Sequence, residues 1–431
     1  MGSTGELLQK LQEGRGDEAL RGLYALDGSD ASLEKGRERA VRVVRAFEAE
    51  FGARPEAALF SGPGRTEIGG NHTDHQHGRV LCGSVDLDML ACAAPNGTDL
   101  VRIQSEGYPA LEVDLRDLKV REEEKNSSPA LVRGVAARLA ELGCRPAGFD
   151  AYVTSTVLSG SGLSSSAAYE ILVATIIDCF FGGGTLDPVE RAKVGQYAEN
   201  VYFGKPCGLM DQMGSSVGGA VAIDFADPAA PVVKKVEYDF TRSGHALCIV
   251  DTGSCHADLT DDYADITREM GAVAAHFGKK FLRDVDEGAF RAALPQLRQE
   301  CGDRAVLRTM HFFEEDCRAE QEAQALEQGD FAAFLALVDQ SGLSSALNLQ
   351  NTWSAAAPQQ QAIPVALAVG RELLGGSGAI RVHGGGFAGV IAAVLPKDMT
   401  VDYVEYMTPY MGKENIYVMQ IRQTGAVHMD F

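Results

Sequence analysis

The densest group of small polar residues lies between Ser159 and Ala168, in the run Ser-Gly-Ser-Gly-Leu-Ser-Ser-Ser-Ala-Ala. Alternating residues before it favour a strand, and an apolar run after it favours a helix. Glycines let backbone N–H groups approach an anion, the start of a helix adds donors, and serine hydroxyls suit phosphate or Mg²⁺. The run lacks the GxxxxGK[ST] of the ordinary P-loop. It indicates a phosphate-binding loop, although a turn that merely caps a helix explains the pattern about equally well.

Two carboxylates follow this loop in the chain. Glu199 lies near the end of a predicted helix that starts at Asp187, and Asp211 lies in the run Pro-Cys-Gly-Leu-Met-Asp-Gln that begins at Pro206. Near a phosphate, one carboxylate suits a metal ion and the other suits the hydroxyl that accepts a phosphoryl group. A later run, Arg381–Gly389, has three consecutive glycines before a predicted strand, which is typical of a tight turn.

Helices and strands must alternate along the chain to position these motifs. Helical spacing predicts helices within residues 4–51, at 129–142, 167–181 and 187–202, and over much of 261–346. Alternation predicts strands at 58–61, 79–93, 100–114, 148–157, 219–225, 246–251, 375–395 and 415–422. The pattern indicates a mixed α+β class. With 431 residues, the chain is long enough for two domains.

Composition limits the classes of binding partner and the cellular compartment that we expect for this chain. The net charge of −21 argues against nucleic acid or an anionic membrane as a partner, because such surfaces select basic faces. The sequence shows no basic start followed by an apolar stretch, so we expect no secretory signal. The nine cysteines are scattered without a CxxC pair, which favours reduced thiols and a cytoplasmic location.

Taken in order, these stretches resemble the motifs of the GHMP kinase family, most closely its galactokinase branch. The phosphate motif GxGLSSSAA is matched at Gly160–Ala168 and the motif PCGxMDQ at Pro206–Gln212. The sugar motif GRxNxIGEHTDYxxG is approximated at Gly64–Gly78, and GGGFGG at Gly384–Gly389 except for Ala388. Four motifs in the right order span most of the chain.

The resemblance implies an α+β, two-lobed GHMP kinase fold with mixed β-sheets and flanking helices, and an active site between the lobes. We expect an N-terminal lobe of residues 1–205, joined by the segment 405–431, and a C-terminal lobe of residues 206–404. The resemblance also implies a monomer whose partners are a small-molecule sugar and ATP, with Mg²⁺ as the metal.

The resemblance assigns catalysis to Asp211, which would accept the proton of the sugar hydroxyl or assist its loss, with Arg65 beside it. It makes Ser166 and Glu199 the Mg²⁺ ligands, with Ser165 as a substitute for Ser166. The remaining residues bind substrates. ATP and its phosphates are assigned to Gly160, Gly162, Ser164, Ser165, Ser166, Gly385 and Gly386. The sugar is assigned to Asn71, His72, Asp74, Gly208 and Tyr263, although a core position explains Tyr263 about equally well.

The chain departs from the family pattern in its sugar motif and in its last motif. Asn71 replaces the Glu that lies near the sugar's C6 hydroxyl, His75 replaces a Tyr, and His383 replaces the Thr of the last motif. An aromatic residue expected near Ser128 is also missing. Because an amide removes a negative charge from C6, a sugar acid such as galacturonate becomes an alternative substrate.

We expect ATP-dependent phosphorylation of galactose at its anomeric hydroxyl, giving galactose 1-phosphate and ADP. The alternatives are an anomeric kinase for a related sugar such as galacturonate, and a non-catalytic sugar sensor, which loss of the serines or of Asp211 would have indicated. A metal hydrolase built on the crowded His72, Asp74, His75 and His77 leaves the serine-rich loop unexplained.

Overall fold

The computed structural model describes residues 1–157, 162–254 and 259–431. Three helices begin the chain, as helical spacing predicts: α1 (Thr4–Gln12), α2 (Asp17–Tyr24) and α3 (Asp30–Phe51). Ser3 and Glu6 form a reciprocal capping box that starts α1. The apolar faces of these helices pack together on one face of the larger sheet.

The strands in the described residues form two sheets. They are β1 (Ala58–Gly69), β2 (Arg79–Pro95), β3 (Leu100–Ser105), β4 (Leu111–Asp114), β5 (Phe149–Ser155), β6 (Ala220–Asp224), β7 (Val232–Val236), β8 (His245–Asp251), β9 (Ala379–Val382), β10 (Val390–Pro396), β11 (Ile416–Met419) and β12 (Val427–Met429). The larger sheet has the order β12-β1-β2-β5-β3-β4, with β6 paired to β2 and β7 to β6. The smaller sheet, β11-β8-β10-β9, is antiparallel throughout.

The remaining helices cover the sheets. They are α4 (Ser128–Glu141), α5 (Ser165–Ile177), α6 (Pro188–Tyr197), α7 (Met210–Ser216), α8 (Thr260–His276), α9 (Glu287–Ala292), α10 (Leu294–Glu300), α11 (Asp303–Glu327), α12 (Phe331–Ser344), α13 (Ala362–Leu374) and α14 (Thr400–Met411). Helices α5 and α7 pack against β1, while α11 reaches β2 and α12 lies on β9. This arrangement brings helix starts and the centre of β1 into one region.

Strand β1 is irregular where the sugar motif begins. Its register with β2 shifts between Pro63 and Arg65, and again between Glu67 and Gly69. Bulges of this kind bend a strand and re-aim its side chains, and they are common beside active sites. The two shifts bracket the short segment that carries Arg65.

The expected lobe boundary at residue 205 does not follow the division between the sheets. Strands β6 and β7 were expected in the C-terminal lobe but pair into the larger sheet through β2. Strand β11 was expected to join the N-terminal lobe but pairs with β8, whereas β12 does pair with β1. The main buried cluster contains residues of both sheets, such as Ala91 and Ile249, so the two sheets share a core.

One apolar helical stretch in the described residues, Ser165–Gly182, is long enough to cross a membrane by length and composition. Within it, 67% of the residues are buried inside the protein. Its first thirteen residues form α5, which packs against β1, α6 and α7. Packing in the protein's own core therefore accounts for its apolar composition.

Candidate active site

The bulged segment of β1 and the start of α7 bring Arg65 and Asp211 together. Arg65 Nε donates to Asp211 Oδ1 at 2.7 Å, and its guanidinium also donates to the carbonyl of Gly162. The Asp211 side chain is 29% exposed, so it is reachable from solvent. Close packing needs a glycine one turn further along α7, because a Cβ on Gly214 would lie 2.7 Å from Arg65 Cβ. The predicted catalytic pair is thus a direct ion pair.

Asp211 also accepts a hydrogen bond from the Ser164 hydroxyl. Burial opposes ionisation of this carboxyl, but the charge of Arg65 and the hydrogen bonds from Arg65 and Ser164 outweigh burial. The pKa of Asp211 therefore lies below its ordinary value, and Asp211 is a carboxylate at neutral pH.

The second half of the phosphate loop leads directly into α5. Ser164 is the N-cap residue and has a left-handed backbone, with φ of 57°. Gly162 has φ of 73°, and a Cβ there would lie 2.9 Å from Val390 Cγ2 and 3.1 Å from His383 Nδ1, so glycine is required. Ser165 and Ser166 occupy the first turn of α5, where backbone N–H groups are unpaired. Gly160 lies outside the described residues.

Glu199 lies in a π-helical segment that continues α6, and it faces the start of α5. Ser166 Oγ donates to Glu199 Oε1 at 3.3 Å, and Gln212 Nε2 donates to Glu199 Oε2 at 2.9 Å. The structure therefore brings the two predicted metal ligands together. Their hard oxygen donors fit Mg²⁺, which completes its shell with water and phosphate oxygens.

Lys205 lies beside the predicted metal ligand Glu199, and the motifs did not single it out. Its Nζ lies 3.4 Å from Glu199 Oε1, and its side chain is 62% exposed. A mobile ammonium beside a metal ligand and a phosphate loop is suited to hold phosphate. The one sequence feature that could have pointed to Lys205 is its position directly before the matched motif at Pro206–Gln212.

On the sugar side, the structure brings Asp74 and Gly208 together. A Cβ on Gly208 would lie 3.2 Å from Asp74 Oδ2, so any larger residue there would crowd the carboxylate. Asp74 Oδ1 accepts from the N–H of His75 at 2.9 Å, which leaves Oδ2 turned towards Gly208. Such a carboxylate can accept hydrogen bonds from neighbouring sugar hydroxyls.

His72 is held in a left-handed conformation with φ of 60°. Its Nε2 lies 2.8 Å from the carbonyl oxygen of Gly385, and its ring stacks on Tyr263 with 6.5 Å between centroids. Burial, followed by the nearby His75, lowers the pKa of His72 to about 4. His72 is therefore neutral at pH 7 and donates its Nε2 proton to Gly385.

The glycine turn after β9 touches the same group of residues. Tyr263 Oη donates to the carbonyl of Gly386 at 2.9 Å, and a Cβ on Gly385 would lie 2.6 Å from Tyr263 Cε1. Gly386, with φ of 78°, packs against the backbone of Asn351. These contacts place Gly385 and Gly386 beside predicted sugar residues, whereas the sequence assigned them to phosphate.

Asn71 does not have the environment expected of a sugar ligand, because it is completely buried. Its Nδ2 donates to Glu67 Oε1 at 3.0 Å and to the carbonyl of Gly384 at 2.7 Å. Its Oδ1 accepts from Asn351 Nδ2 at 2.9 Å and from Ser345 Oγ at 3.3 Å. An amide makes two donor and two acceptor bonds, and the protein supplies all four. These contacts therefore give no support to the assignment of Asn71 to sugar binding.

Glu67 accounts for the buried position of Asn71, and it was not recognised from the sequence as a residue of the site. It stands where the sugar motif has Asn, while Asn71 stands where the motif has Glu, so the acid and the amide have exchanged places. Glu67 forms a buried ion pair with Arg381, with 2.6 Å between Oε1 and Nη2. Burial raises the pKa of Glu67, and the charges of Arg381 and Arg65 oppose that rise.

Helix α11 anchors the sugar loop from behind. Glu315 Oε1 accepts from the N–H groups of Gly70 and Asn71 at 3.1 and 3.2 Å. His311 Nε2 lies 2.9 Å from the carbonyl oxygen of Asn71 and donates to it. Both anchors lie 240 or more residues from the loop in sequence, and no motif marked them.

The crowded histidines do not form a metal site in the described residues, where no group of three or more His, Cys, Asp or Glu side chains is arranged to hold a metal ion. The ring of His77 instead stacks on Phe281, with 3.6 Å between centroids. His75 is exposed, and its Nε2 lies 3.8 Å from Asp74. The hydrolase alternative therefore has no support from this cluster.

Comparisons with known proteins place the chain in a class and then in a family. The model of the GHMP kinases N terminal domain matches residues 130–219. The crystal structure of Methanococcus jannaschii mevalonate kinase superposes with a TM-score of 0.61, at 14% identity, covering 85% of this chain and 99% of that one. The fold is that of the GHMP kinases.

The galactokinase galactose-binding signature matches residues 45–95. Galactokinase of Streptomyces coelicolor is 32% identical over 358 residues, which cover 83% of this chain and 89% of the relative. Lactococcus lactis galactokinase, in its crystal structure with galactose, superposes with a TM-score of 0.72 at 22% identity, covering 89% of this chain and 98% of that one. The chain belongs to the galactokinase family.

Proposed function

We propose that this protein transfers the γ-phosphoryl group of ATP to the anomeric hydroxyl of galactose, giving galactose 1-phosphate and ADP. The observation that carries the proposal is the contact of Asp211 with both Arg65 and Ser164. Asp211 lies in the first turn of α7, and Ser164 caps α5, the helix that follows the phosphate loop. A carboxylate and a cation in contact beside a phosphate loop are suited to orient an acceptor hydroxyl and to balance charge on a transferring phosphoryl group. Family membership adds the nature of the acceptor.

In this reaction a bond forms between O1 of the sugar and the γ-phosphorus, and the bond from that phosphorus to the β–γ bridging oxygen breaks. The O1 proton passes to Asp211 and then to solvent. Because Arg65 and Ser164 lower the pKa of Asp211, this carboxylate is a weak base. It serves best by orienting the hydroxyl and taking the proton late, which suits the loose transition state of phosphoryl transfer.

Ser166 and Glu199 would hold Mg²⁺, which neutralises charge on the phosphate oxygens when it is bound. Lys205 would contribute a further positive charge on the exposed side of Glu199. Gly162, Ser164 and Ser165 would hold phosphates through backbone and hydroxyl donors at the start of α5. We assign the neighbouring Gly160 to the same task on the motif alone.

His72, Asp74, Gly208 and Tyr263 would bind the sugar. The galacturonate alternative depended on the loss of a negative charge near C6, where Asn71 replaces the Glu of the motif. The acid is not lost from this region, because Glu67 accepts a hydrogen bond from the Asn71 amide at 3.0 Å, and this retained acid weakens the case for a sugar acid. The sensor alternative is disfavoured because Asp211 and the serines of the phosphate motif are present, and Ser164 donates a hydrogen bond to Asp211.

The proposal includes a cytoplasmic location. All cysteines in the described residues are free, and several, such as Cys92 and Cys248, are buried in the core. Unpaired thiols suit a reducing compartment.

The test is ADP formation by the purified protein with Mg²⁺ and ATP. The sugar panel holds galactose, galacturonate, glucose, talose, 2-deoxygalactose, N-acetylgalactosamine and L-arabinose. We expect the highest kcat/KM for galactose. A higher value for galacturonate would replace the proposed substrate, and galactose binding without turnover would establish a sensor.

A further inference from the structure

On the side away from β2, the part of β1 around Arg65 has no neighbouring strand in the described part of the chain. Strand β12 pairs with β1 from Leu59 to Ser61 and no further, so the outer backbone N–H groups beyond that point need other acceptors. The N–H of Arg65 donates to the carbonyl of Leu163 at 3.0 Å. The N–H of Glu67 donates to His383 Nε2 at 3.1 Å. The imidazole of His383 therefore takes the place of a strand carbonyl.

The hydrogen bonds to Nε2 determine which nitrogen of His383 carries the proton. A backbone N–H can only donate, so Nε2 accepts from Glu67, and the Thr66 hydroxyl, 3.0 Å away, must donate to the same nitrogen. Burial, followed by the charges of Arg65 and Arg381, lowers the pKa of His383 well below its ordinary value, so the ring is neutral at pH 7. A neutral imidazole has one protonated nitrogen, which here is Nδ1.

The protonated Nδ1 of His383 lies against the phosphate loop. A Cβ on Gly162 would lie 3.1 Å from Nδ1, and His383 is 2% exposed, so this N–H lies inside the protein beside the loop. The carbonyl of the same glycine accepts from the guanidinium of Arg65. One imidazole therefore holds the two residues that follow Arg65 and also contacts the loop residue to which Arg65 donates.

We propose that His383 is a positioning residue, which holds the Arg65 segment of β1 through Nε2 and the phosphate loop through Nδ1–H. It acts through Arg65 and the loop rather than by contact with a substrate. The threonine of the family pattern has a shorter side chain with a single polar atom, so it could not bridge both sides from the same backbone position. The expected effects on rate and on ATP binding rest on the proposed kinase function, whereas the tautomer does not.

The tautomer is tested by a nitrogen–proton correlation NMR spectrum of the protein labelled with ¹⁵N-histidine. We expect one imidazole with a proton on Nδ1 and an unprotonated Nε2, unchanged between about pH 6 and 8.5, a range in which an exposed histidine loses its remaining charge. Its signals are assigned by their absence from the spectrum of His383→Gln. A proton on Nε2, or a ring that titrates in this range, would overturn the proposal.

Two amide variants separate the functions of the two nitrogens. His383→Gln places its oxygen near the position of Nε2 and can still accept from Glu67, whereas His383→Asn places its amide near Nδ1 and is too short to reach Glu67. Because Nε2 holds the Arg65 segment, we expect kcat to fall at least about fivefold further in His383→Asn than in His383→Gln. Because Nδ1–H holds the phosphate loop, Kd for a non-hydrolysable ATP analogue should rise about three- to tenfold in His383→Gln and less in His383→Asn.

The control is His276→Asn, at a partly exposed histidine paired with Glu300, which should change neither kcat nor Kd. A purely structural role of His383 would shift both quantities together in its two variants, in step with their melting temperatures, and that result would overturn the proposal. If either variant unfolds, the ring is identified in the parent by its nuclear Overhauser contacts with Thr66, and its tautomer decides. The tautomer and analogue binding are measured without turnover, so their failure is distinguishable from failure of the kinase proposal.

Discussion

The side-chain amide of Asn71 donates to the carboxylate of Glu67, with 3.0 Å between Nδ2 and Oε1. The two residues are four apart, and each has the chemistry that the galactokinase sugar motif places at the position of the other. An acid–amide pair is thus retained while the negative charge moves next to Arg381. The pair ties the sugar loop to the glycine turn, because Asn71 also donates to the carbonyl of Gly384.

This exchange predicts strong coupling between positions 67 and 71. Asn71→Glu alone puts two buried carboxylates in contact and should cost about 3–5 kcal/mol of unfolding free energy. Glu67→Asn alone leaves Arg381 buried without its counter-ion and should cost a similar amount. The double variant Glu67→Asn, Asn71→Glu restores one acid and one amide, so its loss should be at least about 2 kcal/mol smaller than the sum. Urea unfolding of all four proteins measures this, and additive losses would contradict it.

Replacing Asp211 by Asn keeps its shape and removes its charge. We expect kcat to fall by roughly 10²–10⁴, because the acceptor hydroxyl loses the group that orients it and takes its proton. The dissociation constant for galactose should change by less than about threefold, since Asp74 and His72 are untouched. Turnover and calorimetric sugar binding are the two measurements, and activity within a few-fold of the parent would exclude the assigned role.

Lys205 tests the phosphate side of the site. Lys205→Ala should raise KM for ATP about three- to tenfold through the lost charge near Glu199. The matched control is Lys193→Ala, which removes a partly exposed lysine paired with Glu190 on α6. Initial-rate kinetics at varied ATP should show no change for the control. Equal effects of the two substitutions would mean that Lys205 acts only through general surface charge.

Asp86 on β2 predicts how stability depends on pH. Burial raises the pKa of Asp86 from 3.8 to about 6, although its Oδ1 accepts from the N–H of Gln420 at 3.0 Å. The native state therefore binds more protons than the unfolded state between about pH 4 and 6, and this group destabilises the protein as pH rises through that window. Asp86→Asn cannot ionise and keeps the acceptor oxygen.

We expect Asp86→Asn to be about 3 kcal/mol more stable than the parent at pH 7.5, with the gain vanishing near pH 4. Urea unfolding at both pH values measures the difference. Asp303→Asn, at an exposed carboxylate, should show no such pH-dependent gain. A constant difference across the pH range would show that the substitution acts through packing rather than ionisation.

Much of the local structure was predictable because short-range signals specify it. Asp187 caps α6 through the N–H groups of Val189 and Glu190, as the Asp-Pro sequence indicates. The strand before the phosphate motif and the helix after Ser164 also lie where alternation and the apolar run place them. Strand β7 was missed because it lies at an exposed edge of the sheet, where its residues show no clear alternation. Helices α13 and α14 were missed as well, although their buried residues recur at helical spacing.

The chemistry of the site could be predicted from the sequence. Glycines, serines and carboxylates, in motifs of this order and spacing, suit the binding of phosphate, a metal ion and a hydroxyl group. The role of Asn71 could not be predicted from the motif. Whether an amide faces a ligand or the core depends on which distant groups meet it, and here Ser345, Asn351 and Gly384 come from segments more than 270 residues away. Hydrogen-bond capacity is finite, so an amide with four protein partners has none left for a sugar. Packing, rather than the motif, therefore separates the residues that bind from those that hold the loop in place.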